Sequence, residues 1–110
     1  MRWIFVMALV PSLAFADGNP QIDRLWRAKC ASCHGADGKA QTEQGKKMAI
    51  GDLSTAAAQA KLTDAQVKTA IGDGVNRDQN GVHQEMEGYK AKLKPDQLDG
   101  LVTYVRALKK

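Results

Sequence analysis

The clearest apolar repeat lies at the end of the chain, where Leu98, Leu101, Val102, Val105 and Leu108 fall at i, i+3, i+4, i+7 and i+10. That spacing predicts an amphipathic helix with one buried stripe. Pro95 suits its first position, and Lys109 and Lys110 suit its negative end. A second helix start stands at Leu62-Thr63-Asp64-Ala65-Gln66-Val67. There Thr63 and Gln66 form a capping box and Leu62 can staple onto Val67. This helix carries Val67, Ala70 and Ile71 and stops at Gly72 or Gly74. A third begins with Asn19 as N-cap and Pro20 at the first helical position. Its stripe runs through Ile22, Leu25, Trp26 and Lys29 or Cys30, and Gly35 ends it.

Between these helices the pattern weakens. Residues 36–53 read as loop, punctuated by Gly38, Gly45 and Gly51, and the Ala-rich residues 54–60 suggest a short helix. Residues 75–92 are polar, contain Gly81 and Gly88 and show no sustained period, which predicts a long loop. No strand alternation, internal repeat or low-complexity tract stands out, so the expected class is all-α.

The N-terminus changes the picture of length. Arg2 gives a short basic region, residues 3–15 an apolar stretch, and Ala14-Phe15-Ala16 a small-x-small cleavage signal. Together they read as a secretory signal peptide at 1–16, cleaved after Ala16, leaving one domain at 17–110 exported to the periplasm. The stretch is interrupted by Pro11 and Ser12 and falls short of the roughly 20 residues that span a bilayer, so no stable membrane insertion of the mature chain is expected. Cleavage removes one Arg and lowers the formal charge from the +4 of the full chain by one. The remaining lysine excess suits an acidic docking partner or a plain solubility surface, and no aromatic-interleaved basic run points to nucleic acid. The mature chain keeps only Trp26, Tyr89 and Tyr104 as aromatics. A small domain this poor in core material needs a staple.

Cys30-Ala31-Ser32-Cys33-His34 supplies one. Cys-x-x-Cys-His is the pattern of covalent haem attachment. Two cysteines three apart on a helical turn share a face, so both can form thioethers along one side of a porphyrin. The following His34 can reach the iron from one side. The competing readings are weaker. A structural disulfide needs only the two cysteines, a thioredoxin-like dithiol lacks its βαβ surroundings, and a zinc site finds only His83 as a further ligand. For the second face of the iron, the residues with suitable sulfur or imidazole donors are Met48, His83 and Met86, and the site could also stand open.

With the motif near the start, an amphipathic C-terminal helix containing Tyr104, and Met86-Glu87-Gly88-Tyr89-Lys90-Ala91-Lys92-Leu93 before it, the mature chain resembles a class I c-type cytochrome of the small soluble bacterial type. The resemblance implies three to four helices wrapped around one covalently attached haem c, with the N- and C-terminal helices crossing. It implies Cys30 and Cys33 as attachment points, and His34 and Met86 as iron ligands. It also implies a monomeric one-electron carrier, not an enzyme, that docks transiently with larger redox proteins. Lys39, Lys46, Lys47, Lys90 and Lys92 could ring the haem edge as the docking surface.

Three departures stand against the family pattern. Glu87 occupies the place of a Pro after the ligand Met, removing a φ restraint and adding a charge. No Pro lies between Pro20 and Pro95, so the usual carbonyl acceptor for the proximal histidine has no counterpart that can be named. Near Ile22, where relatives often carry Gly, the terminal helices are expected to approach less closely. Trp26 and Tyr104 match the aromatic positions at that crossing. The Glu87 departure keeps a second function in view, a ligand-binding or weakly peroxidatic haem protein with an open or labile site.

Overall fold

The structure, a computed structural model, describes residues 19–108. The expected signal peptide at 1–16 and the Lys109-Lys110 pair lie outside the described residues. Six helices, not the three to four expected, and one hairpin follow in order: α1 (Pro20–Lys29), α2 (Ala31–His34), α3 (Glu43–Lys47), α4 (Ala56–Ala60), α5 (Asp64–Asp73), β1 (Val75–Gln79), β2 (Val82–Met86) and α6 (Pro95–Arg106). The helices form where their caps stand. Asn19 accepts from the Gln21 N–H, Thr55 from Ala58, and Thr63 and Gln66 close the anticipated capping box.

The terminal helices cross, as the resemblance implied, but by a different device. A Cβ placed on Gly100 of α6 would lie 2.7 Å from Ile22 Cδ1, so the glycine that admits close approach sits on the partner helix. The expectation of a wider crossing at Ile22 is therefore corrected. Trp26 and Tyr104 meet there with ring centroids 5.3 Å apart, and the Tyr104 hydroxyl donates to Asp23 Oδ1 at 2.7 Å. The core gathers around this crossing from Ile22, Trp26, Val67, Ile71, Leu101, Val102, Val105 and Leu108. At the far end of α6, the buried Gln59 side chain donates to the carbonyls of Leu53 and Val105, tying α4 down.

The Tyr104 hydroxyl, aided by Arg27, holds the Asp23 carboxyl below its ordinary range. A depressed carboxylate contributes stability that is present above about pH 4 and lost as pH falls through the folded-state value. Tyr104→Phe removes the larger cause. Chemical denaturation should find the variant less stable at pH 7, with the gap to wild type narrowing below about pH 4. A gap that stays constant with pH would assign the loss to packing alone.

Two expectations about the middle of the chain fail. Residues 36–53 are not all loop. Thr42 accepts from the Gly45 N–H and nucleates α3, whose Gly45 lies so near α2 that an added Cβ would come within 2.6 Å of the Cys33 carbonyl. The all-α class also gives way to a mostly helical fold with a two-stranded antiparallel sheet, because residues 75–86 form a hairpin. Its turn is Asn80-Gly81, both at positive φ (54° and 77°), the requirement of a two-residue hairpin loop.

Candidate haem site

The cysteine motif is a helical turn pinned from three sides. Cys30 ends α1, its N–H donating to Trp26, and α2 restarts at once. The carbonyls at the end of α2 would otherwise be orphaned. Instead Thr42 Oγ1 donates to Cys33 at 2.7 Å, the Ala40 N–H to His34 at 2.8 Å, and Trp26 Nε1–H to Gly35 at 3.0 Å. Gly35 turns the chain away with φ 80°, as its place after the motif predicted.

This turn opens onto a cavity of about 470 Å³. Cys30 and His34 line it on one side, with Trp26 behind them. Leu53, Leu62, Val67, Ile71, Leu101 and Val105 give it apolar walls. Met86, from the end of β2, and Met48, from the end of α3, also line it. Cys33 is half-buried one helical turn from Cys30, and both thiols are free. Burial pushes the Cys30 thiol up to about 11, so it stands as a neutral thiol. Burial also lowers the His34 imidazole below its ordinary range, which keeps a nitrogen lone pair available. The His34 ring packs 5.7 Å from Trp26. Its Nδ1 is buried and has no hydrogen-bond partner among the described residues, so the acceptor left unnamed by the sequence stays unnamed.

The hairpin brings Met86 to the cavity and turns His83 away. Opposed residues share a sheet face, and the register pairs Val75 with Met86, Arg77 with Gln84 and Asp78 with His83. Val75, Arg77, Gln84 and Met86 line the cavity. His83 is exposed on the other face, 2.8 Å from Asp78 Oδ1, and is not part of the lining. Strand alternation thus separates two donors that the sequence left side by side.

The base of the hairpin is a close backbone crossing. A Cβ on Gly74 would lie 2.4 Å from the Met86 carbonyl, and one on Gly88 would lie 2.7 Å from Asp73. These glycines take over the restraint that a Pro at 87 would have given. Glu87 itself pairs with Lys92 at the surface, which is worth little by itself. Sequence reasoning did not find Gly74, Gly88 or Gln84 as positioning residues. The Asn80-Gly81 dipeptide was the signal that could have exposed the hairpin.

A covalently attached iron porphyrin would call for an apolar slot, an imidazole free to ligate and thiols near one edge, and a thioether is one of the second donors it can take. Neutral His34, the thioethers of Met86 and Met48, and Cys30 and Cys33 on one helical turn fit that demand. Among the described residues, no group of three or more His, Cys, Asp or Glu could hold a bare metal ion.

A family model described as cytochrome c matches residues 21–109. No curated protein matches the chain. Similar solved structures include the KustC0563 c-type cytochrome, 31% identical over 80% of this chain and 96% of that one, with a TM-score of 0.66. A point mutant of that protein matches at 30% identity over 80% and 98% of the two chains, with a TM-score of 0.61.

Proposed function

The chain belongs to the cytochrome c family, and on that footing we propose that it is a periplasmic one-electron carrier. In this reading it holds a single haem c through Cys30 and Cys33, with His34 and Met86 on the iron. The observation that carries the reading is the cavity itself, which draws one nitrogen donor from α2 and one thioether from β2 into apolar surroundings. Bound there, the haem supplies an iron that changes charge by one electron.

The chain's own residues set how that change occurs. His34 is oriented by its packing against Trp26 and by a turn whose Cys33, His34 and Gly35 carbonyls are engaged. Met86 is held at the base of the hairpin by the Gly74–Gly88 crossing, which leaves that backbone little room to shift. A thioether donor and apolar walls both favour Fe(II) over the extra charge of Fe(III). Were His34 and Met86 both to hold the iron, no position would remain for substrate, and in this reading the protein is a carrier and not an enzyme.

Partners dock transiently in this reading. Lys90 and Lys92 are engaged with Asp73 and Glu87, whereas Lys39, Lys46 and Lys47 hold no ion pair among the described residues. Of the five lysines expected at the haem edge, those three are left to attract an acidic partner. Export follows from the residue pattern at 1–16, and no helix among the described residues is long and apolar enough to cross a membrane.

Carbon monoxide tests the closed iron. The reduced holoprotein should bind it slowly or not at all at neutral pH. Rapid, complete uptake would instead support the open-site reading, with ligand-binding or peroxidatic chemistry.

A further inference from the structure

The hairpin turns a charged side chain toward a mostly apolar cavity. Arg77 lies directly opposite Gln84 in the register, and both line the cavity together with Val75 and Met86. Arg77 is also exposed, which places it at the cavity mouth. Its Nε–H donates to Gln84 Oε1 at 2.9 Å. The other end of Gln84 is committed as well, its Nε2 donating to the Met48 and Ala49 carbonyls at 2.9 and 3.2 Å. Gln84 therefore straps the hairpin to the loop after α3 and holds the guanidinium by one edge.

A guanidinium carries five N–H donors in a planar fork, and Gln84 takes one of them. No carboxylate of the described residues forms an ion pair with Arg77. The remaining charged or titratable groups on the wall are Cys30, His34, Asp52, Lys61 and Glu85. Asp52 is taken by the Ser54 amide and hydroxyl at 2.7 and 2.6 Å. Glu85 touches the wall, but its carboxylate lies 3.9 Å from His83 Nε2, and it alternates with Gln84 and Met86 along the strand. Lys61, the other cation, has no side-chain hydrogen bond among the described residues to fix it. Arg77 is thus the one anchored cation on the wall, with its fork free to take a planar, bidentate acid.

We propose that Arg77, oriented by Gln84, binds a propionate carboxylate of the haem and ties the cofactor's polar edge to the hairpin that carries Met86. The proposal rests on the haem reading above. It has an electrostatic consequence. A paired propionate is neutralised toward the iron, whereas an unpaired one leaves a negative charge that favours Fe(III) and lowers the reduction potential.

Potentiometric titration of the loaded protein tests this. Arg77→Gln should give a more negative potential than wild type. Arg24→Gln, which removes an exposed cation from α1 that does not line the cavity, should move it less. Gln84→Ala should reproduce part of the Arg77→Gln shift, and the double variant should shift no further than Arg77→Gln alone, as expected of residues acting through one contact. Should Arg77→Gln fail to load haem, Arg77→Lys keeps the charge but loses the fork, and its potential should still fall.

Equal shifts in Arg77→Gln and Arg24→Gln would overturn the proposal, as would full additivity with Gln84→Ala. An Arg77→Lys potential equal to wild type would overturn the bidentate contact. Haem staining of the wild-type protein after denaturation keeps the two readings apart. No covalent haem defeats the site itself, while attached haem with unmoved potentials defeats only the role of Arg77.

Discussion

Gly74→Ala should lose about 3 kcal/mol of stability or more and release Met86 from its place in the cavity. Two costs act together. Gly74 sits at φ 81° and ψ −178°, a region open essentially to glycine alone, where another residue costs about 1–3 kcal/mol. The new Cβ would also stand 2.4 Å from the Met86 carbonyl and 2.8 Å from the Gly88 amide. Those are backbone atoms and cannot swing aside, so the hairpin base must shift, at roughly 1–3 kcal/mol more for forced overpacking. A domain of this size has about 5–15 kcal/mol in total, so the variant should fold with a much lower denaturation midpoint. Its loaded form should bind carbon monoxide far faster than wild type. An alanine variant with wild-type stability and wild-type reactivity would show that the crossing at Gly74 and Gly88 does not hold the methionine.

Met86→His is the second large effect. Imidazole in place of thioether keeps two protein donors on the iron but removes the one that favours Fe(II). The potential should fall by on the order of 0.1 V, within the roughly 0.8 V over which axial ligands tune haem iron. The protein should remain low-spin and should still resist carbon monoxide. Met48→Leu serves as the comparison, since Met48 lines the same cavity from the end of α3. It should leave the potential nearly unchanged, because a flexible apolar filler is replaced by another of similar size. A potential that falls for Met48→Leu and not for Met86→His would exchange the roles of the two methionines.

How much of this could be read from residues depends on which force shaped each element. α1, α5 and α6 are set by local capping and by one apolar stripe, both of which are written along the chain. Thr63 with Gln66 and the Leu101–Val105–Leu108 stripe fold as their spacing says. The hairpin is different. Its cavity-facing positions include Arg77, Gln79 and Gln84, so the period of two exists in the structure but not in hydrophobicity. Only Asn80-Gly81 marked it. Gly100 and Gly45 were equally silent, because a glycine required by close approach looks the same in sequence as one that breaks a helix. The candidate residues Cys30, Cys33 and His34 stood out in the sequence because haem attachment calls for a fixed spacing, and the fold brings Cys30 and His34 to one cavity. Met86 and His83 differ only by strand face, a distinction that needs the register.

The visible spectrum of the oxidised mature holoprotein tests the central claim most directly. A low-spin spectrum with the weak far-red band of Met-to-Fe(III) charge transfer, lost in Met86→His, is the predicted result. A high-spin spectrum, or a low-spin one without that band in the wild-type protein, would contradict ligation by His34 and Met86 and the carrier function built on it.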